Sequence, residues 1–197
     1  MERGILAKDN SESLAKSILE ALYPNRFFEL ARLSGSDFSG PDLYYEETNI
    51  GIEVSMACDE HWLETTSVFE ASLEKKRVIK KKPRGIVIKK DYIISSVYDT
   101  TKTTDLIIDT IVKKTEKLNK VNGYKGQYKI FQENDLFIFC PYGPVESIYS
   151  SLSSRVIKKC SSYNLKFDRI FIKHSNSLYE INASTVSIFS IPKSIMN

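Results

Sequence analysis

The chain has 197 residues, 42% of them hydrophobic and 27% charged, a usage that belongs to folded proteins and excludes the low-hydrophobicity class that stays disordered. A formal net charge of +3 does not by itself mark a nucleic-acid binder. No stretch approaches the roughly 18 consecutive apolar residues of a membrane span, and the opening MERGILAKDNSES lacks a signal-peptide core, so a cytoplasmic protein with no membrane partner is expected.

Ser11 is followed by Leu14, Ala15, Ile18, Ala21 and Leu22, apolar positions at helical spacing that Pro24 stops, which predicts a helix over 11–22. Arg26 to Leu33 alternates enough to predict a strand, with Phe27 breaking the pattern, and SGSDFSG reads as a loop. Leu43 to Glu47 and Ile50 to Ala57 are strand-like runs separated by Thr48 and Asn49, the signature of a hairpin. With the turn centred on 48 and 49, Asp42 faces Ser55 and Tyr44 faces Glu53. Glu53 and Asp42 then project from one side of the pair, diagonal neighbours roughly 7–8 Å apart.

The apolar positions between Asp59 and Lys76 (Trp62, Phe69, Leu73) fit a helix. GIVIKKDYIISSV predicts one or two strands, and Thr104 to Lys120 predicts a helix with Ile107, Ile108, Ile111, Thr115 and Leu118 on one face. A strand at 136–140, a helix at 145–163, a strand at 169–173 and a tail of short strands or coil over 178–191 complete the order. Alternation of this kind makes a mixed α/β sheet with helices on its faces. No repeat or linker divides it, so one domain over 1–197 is expected, with its core at about 10–175.

Lys75, Lys76, Arg77, Lys80, Lys81, Lys82 and Arg84 crowd into ten positions. Such density can neutralise phosphates along a nucleic-acid backbone, and it reads equally as a solvated helix end and loop. Cys58, Cys140 and Cys160 are odd in number and show no CxxC spacing, which leaves them as small packing residues rather than a disulfide framework or zinc site. Asp59, Glu60, His61 and Glu64 read as a helix start, and His174 has no evident partner in sequence. Tyrosines interleaved with lysines, as in GYKGQYK, suit base stacking or ordinary loop packing.

The Pro41-Asp42 pair, followed by the strand Ile52-Glu53-Val54-Ser55 after a first helix and strand, resembles the PD-(D/E)xK superfamily, the restriction-endonuclease-like nucleases. The resemblance spans about residues 10–175 in element order and implies a restriction-endonuclease-like mixed sheet flanked by helices. It implies a metal-dependent nuclease hydrolysing DNA phosphodiester bonds, in which Asp42, Glu53 and the Val54 carbonyl hold Mg²⁺ or Mn²⁺. These are hard cations that prefer oxygen ligands, and a bound one polarises the phosphate and activates water. Such folds often act as dimers, so a homodimer is part of what the likeness implies.

The motif lysine is missing, because Ser55 stands in its place and carries no charge. Superfamily members with that defect often draw a lysine from a following helix. Taking Ile111 as the centre of the apolar face, Lys114 lies about 60° to one side, with Lys117 and Lys113 farther round, so Lys114 is the chosen residue and Lys117 the reserve. Lys114 also reads as a side chain snorkelling along a core-facing stripe. Some members add a metal-binding glutamate from the first helix, for which Glu12 is placed, although an exposed acid in a first turn needs no such role. Asp42 also suits a turn and Glu53 a half-solvated strand. The loss of the lysine motivates an alternative: a catalytically inactive nuclease-like scaffold serving as a nucleic-acid-binding module, or as an inhibitory module with a protein partner.

Overall fold

The computed structural model describes residues 8–28, 30–31, 40–58, 87–89, 92–94, 103–119, 129–141, 146–182 and 185–196. Helix α1 spans Lys8–Leu22 and buries Ala15, Ile18 and Leu19 completely, one stripe at helical spacing. Pro24 lacks the amide that a further turn needs, and the chain turns instead, with Arg26 and Phe27 both donating to the Tyr23 carbonyl. The strand expected over 26–33 is thereby cut to β1, Leu30–Ala31. Phe27 breaks the alternation because its ring is drawn into the core, edge-on to Tyr23 at 5.8 Å and tilted on Tyr45 at 5.2 Å.

Strands β2 (Leu43–Tyr45), β3 (Ile50–Met56), β6 (Glu133–Phe139), β7 (Arg169–His174), β8 (Ser177–Ile181) and β9 (Val186–Ser190) join β1 in a seven-stranded sheet. Its order is β1-β2-β3-β6-β7-β8-β9, with β3-β6-β7 parallel and the remaining neighbours antiparallel. Between β3 and β6 the chain forms a separate hairpin of β4 (Val87–Lys89) and β5 (Tyr92–Ile94), then helix α2, Thr103–Asn119. Helix α3, Glu146–Lys159, makes the connection from β6 to β7, and α4, Lys193–Met196, follows the last strand. This is the mixed α/β architecture that the element order predicts, with a tail more regular than expected. The predicted helix over 59–76 and the basic run from Lys75 to Arg84 lie outside the described residues. No helix among the described residues is long and apolar enough to cross a membrane.

The central strands are buried on both faces, and their side chains sort by chemistry. Leu136, Ile138, Ile170 and Ile172 meet Ile107, Ile108 and Ile111 of α2 and Leu152 of α3 on one face. Phe137, Phe139 and Phe171, with Ile50, Ile52 and Val54, meet α1 on the other. Near-continuous apolar runs are what parallel strands covered on both sides require. A carboxylate on such a strand is therefore out of place unless something compensates it.

The hairpin register differs from the expected one by two residues. Leu43 pairs with Ile52, Tyr44 with Gly51 and Tyr45 with Ile50, around a four-residue turn in which Asn49 takes a positive φ of 50° and donates to the Glu46 carbonyl. Neither Asp42 opposite Ser55 nor Tyr44 opposite Glu53 is correct; continuing the register one residue sets Asp42 opposite Glu53. A shift of two preserves the faces, so the pairing sets the two acids on one side of the hairpin, with Glu53 reaching α2 and Asp42 turned onto the Val54 amide. At Gly51 a Cβ would lie 2.4 Å from the Phe131 ring and 2.9 Å from the Pro41 ring, so glycine is what lets Pro41 close over the strand just before Asp42.

Candidate functional site

The ladder between β2 and β3 ends at Leu43. Beyond it the chain bends, and the Asp42 carboxylate, in place of a main-chain carbonyl, accepts the Val54 amide at 2.8 Å. Pro41 has no N–H to offer. The N–H and C=O of one strand residue leave by the same edge, so the Val54 carbonyl is turned toward the side from which Asp42 comes. Asp42 is thus held beside Val54, the residue that follows Glu53, and the oxygens of this stretch are donors of the kind that suits a hard divalent cation.

Glu53 is 2% exposed. Its compensation comes from α2: Lys114 Nζ and Lys117 Nζ each lie 2.7 Å from Glu53 Oε1. The two lysines stand three apart on the flank of the stripe formed by Ile107, Ile111 and Thr115, which is the spacing at which helical side chains are neighbours. Lys114 is 25% exposed and Lys117 46%, so the first is held against the core and the second reaches in from the rim. Burial pushes the Glu53 carboxyl up, but the charge and hydrogen bond of Lys114, with those of Lys117, outweigh it and hold the group below the usual carboxylate range. Glu53, Lys114 and Lys117 are thus brought together, and Asp42 is held next to them in the chain fold on the amide of Val54, the residue after Glu53. Glu12 lies on α1, and the described residues hold no group of three or more His, Cys, Asp or Glu side chains able to hold a metal ion, so Glu12 does not join Asp42 and Glu53 in a triad.

Beside the site, on the same face, Lys129 Nζ sits 4.5 Å from the centroid of the Tyr44 ring and 5.0 Å from that of Phe131. Tyr45, by contrast, is wholly buried on the opposite face. Cys140 and Cys160 are buried packing residues, and His174 has a partner, its Nδ1 lying 3.2 Å from the Cys140 carbonyl oxygen.

A second charged cluster lies on the α1 face, toward the N-terminal ends of β6 and β7, with Asp135 paired to Ile52, the residue before Glu53. Asp135 is fully buried; its Oδ1 accepts the Arg169 amide at 3.1 Å and its Oδ2 lies 3.4 Å from Arg26 Nη2. Arg26 also pairs with Glu133, and Arg169 with Glu133 at 3.1 Å and Glu180 at 2.5 Å, while the Tyr23 hydroxyl donates to Glu180 at 2.8 Å. Each of these acids is committed to an arginine within the fold, which marks the cluster as structural. Sequence reasoning missed it, and the one signal was an aspartate heading the apolar run DLFIF.

Burial drives the Asp135 carboxyl up to about 7 from 3.8, against the pull of Arg26 and Arg169. A raised folded-state value means that the folded protein binds the proton more tightly, so stability falls as pH rises from the unfolded value through the folded one and is level above it. Asp135→Asn should therefore gain on the wild type in urea midpoint between about pH 4 and about pH 8. A midpoint difference that does not change with pH would count against this. Glu53 acts oppositely: its contribution is present above the ordinary carboxylate value and is lost on acidification through its lowered one.

The chain matches no family model, no curated protein and no solved structure.

Proposed function

We propose that the chain is a metal-dependent nuclease of restriction-endonuclease-like fold that hydrolyses DNA phosphodiester bonds at Asp42 and Glu53. The observation that carries this reading is the convergence of Lys114 and Lys117 on Glu53 Oε1, both at 2.7 Å. It supplies from α2 the positive charge that Ser55 lacks. Asp42, Glu53 and the Val54 carbonyl are the groups that would hold Mg²⁺ or Mn²⁺, and their all-oxygen character fits that demand. Such an ion, when bound, polarises a phosphate and lowers the pKa of water.

The protein's own groups divide the remaining work. Asp42, pinned by the Val54 amide, has a fixed orientation at the strand edge. Lys114, at the margin of the buried face, is the ammonium placed to orient the attacking water and to stabilise charge growing on the phosphate. Lys117, more exposed, can meet a backbone phosphate arriving from solvent. The basic run from Lys75 to Arg84 would extend the grip along the DNA, and a homodimer would present two such sites.

A second reading has its own support. Asp42 Oδ2 is spent on a main-chain amide and Glu53 Oε1 on two ammonium groups, so these oxygens already have partners from the protein itself. That suits an inactive scaffold that binds nucleic acid or a protein partner. Calorimetric titration with Mg²⁺ and Mn²⁺, beside cleavage of plasmid and single-stranded DNA, separates the two. Under the nuclease reading, Asp42→Asn and Glu53→Gln stay folded and lose both metal binding and cleavage, and Lys114→Met retains metal but cuts about 10²–10³-fold more slowly. Unchanged cleavage by either acid variant would overturn it.

A further inference from the structure

Glu53 Oε1 receives two ammonium groups, one from Lys114 and one from Lys117. A carboxylate has about four lone-pair sites over its two oxygens, so both positions on this oxygen are taken. A cation can use Oε1 only if at least one lysine leaves. Both lysines can leave, because each carries its charge on a flexible four-carbon stem and each already touches solvent.

Charge balance then constrains the loaded site. The two acids and the two lysines carry equal and opposite charge; a divalent ion added at the acids places two further positive charges beside the lysines it displaces, which an arriving anion offsets. The anion must come to the lysines that have just lost their carboxylate. Resting on the nuclease reading above, we propose that Lys114 and Lys117 are resident counter-ions of Glu53 which a divalent cation displaces and a phosphodiester then captures. Cation binding at Asp42 and Glu53 is thereby linked to anion binding at the two lysines. The linkage is reciprocal, so phosphodiester raises the affinity for the cation by the same factor as the cation raises that for phosphodiester. The linkage disfavours loading metal before DNA is present, and Lys117 binds substrate directly together with Lys114.

The test uses Mn²⁺ alone as the probe. In calorimetry, Lys114→Met and Lys117→Met, each of which keeps one lysine on Glu53, should bind Mn²⁺ about five- to tenfold more tightly than wild type, since one fewer ammonium has to be displaced. In the wild-type protein, acetylation followed by mass spectrometry should show labelling of Lys114 and Lys117 rising several-fold on saturation with Mn²⁺, with Lys113 and Lys158 as unchanged controls. If Mn²⁺ binds and Glu53→Gln abolishes that binding, yet neither lysine variant binds more tightly and the labelling does not move, the counter-ion proposal is overturned and the nuclease reading stands. If no form of the protein binds Mn²⁺, both fall.

Discussion

Replacing Lys114 and Lys117 together by methionine should cost about 3–5 kcal/mol of stability, the penalty for taking two opposite charges away from a buried carboxylate. Glu53 is 2% exposed and takes both lysines on one oxygen, so the double variant takes both of these charges from a carboxylate that is itself buried. The single variants should differ. Lys114→Met costs more than Lys117→Met, because Lys117 is 46% exposed and solvent screens its share. Adding Glu53→Gln to the double variant should recover most of the loss, since the uncompensated charge is then gone. Urea denaturation of the four proteins reads this directly, and a triple variant no more stable than the double one would show that the lysines act through packing alone.

That Asp42 and Glu53 share a face was legible in the sequence because strand side chains alternate with period two. The turn has four residues rather than two, which moves every pairing by two and leaves every face where it was. Lys114 and Lys117 were legible for a similar reason: helix periodicity puts positions three apart on one flank, and the stripe from Ile107 to Leu118 fixes where that flank points. What could not be read was the role of Asp42 as an acceptor for Val54. It depends on where the β2 ladder stops, and that is set by the Pro41 ring and Phe131 closing over Gly51, a contact between segments far apart in the chain.

The fold was legible wherever one periodicity ran long enough. Helices α1, α2 and α3 and strands β6 and β7 carry unbroken patterns, and their expected bounds fall close to the observed ones. The segment after α1 is different, because Phe27 is claimed by Tyr23 of the same turn and by aromatic rings from β2 and β7, and tertiary packing overrides a weak strand preference. The Asp135 cluster was illegible for a related reason. Its members come from the turn after α1, from β6, from β7 and from β8, and no spacing along the chain brings an arginine at 26 to an acid at 133.

The two-faced sheet makes a further expectation specific. Phe171 is fully buried on β7 with the rings of Tyr23, Phe27 and Phe137 at centroid distances of 5.7, 6.1 and 6.4 Å. Phe171→Ala removes the ring on which the α1 face closes and should cost about 3–5 kcal/mol, or a fall in Tm of roughly 6–20 °C for a chain of this size. The lysine–glutamate cluster projects from the opposite face of the sheet, and its partners come from α2, which does not touch Phe171 in either core cluster. The loss should therefore add to that of Lys114→Met within about 0.5 kcal/mol when the two are combined. Coupling larger than that would mean that β3, β6 and β7 transmit strain between the faces. Glu53 would then be positioned by the aromatic layer behind it as well as by the lysines in front.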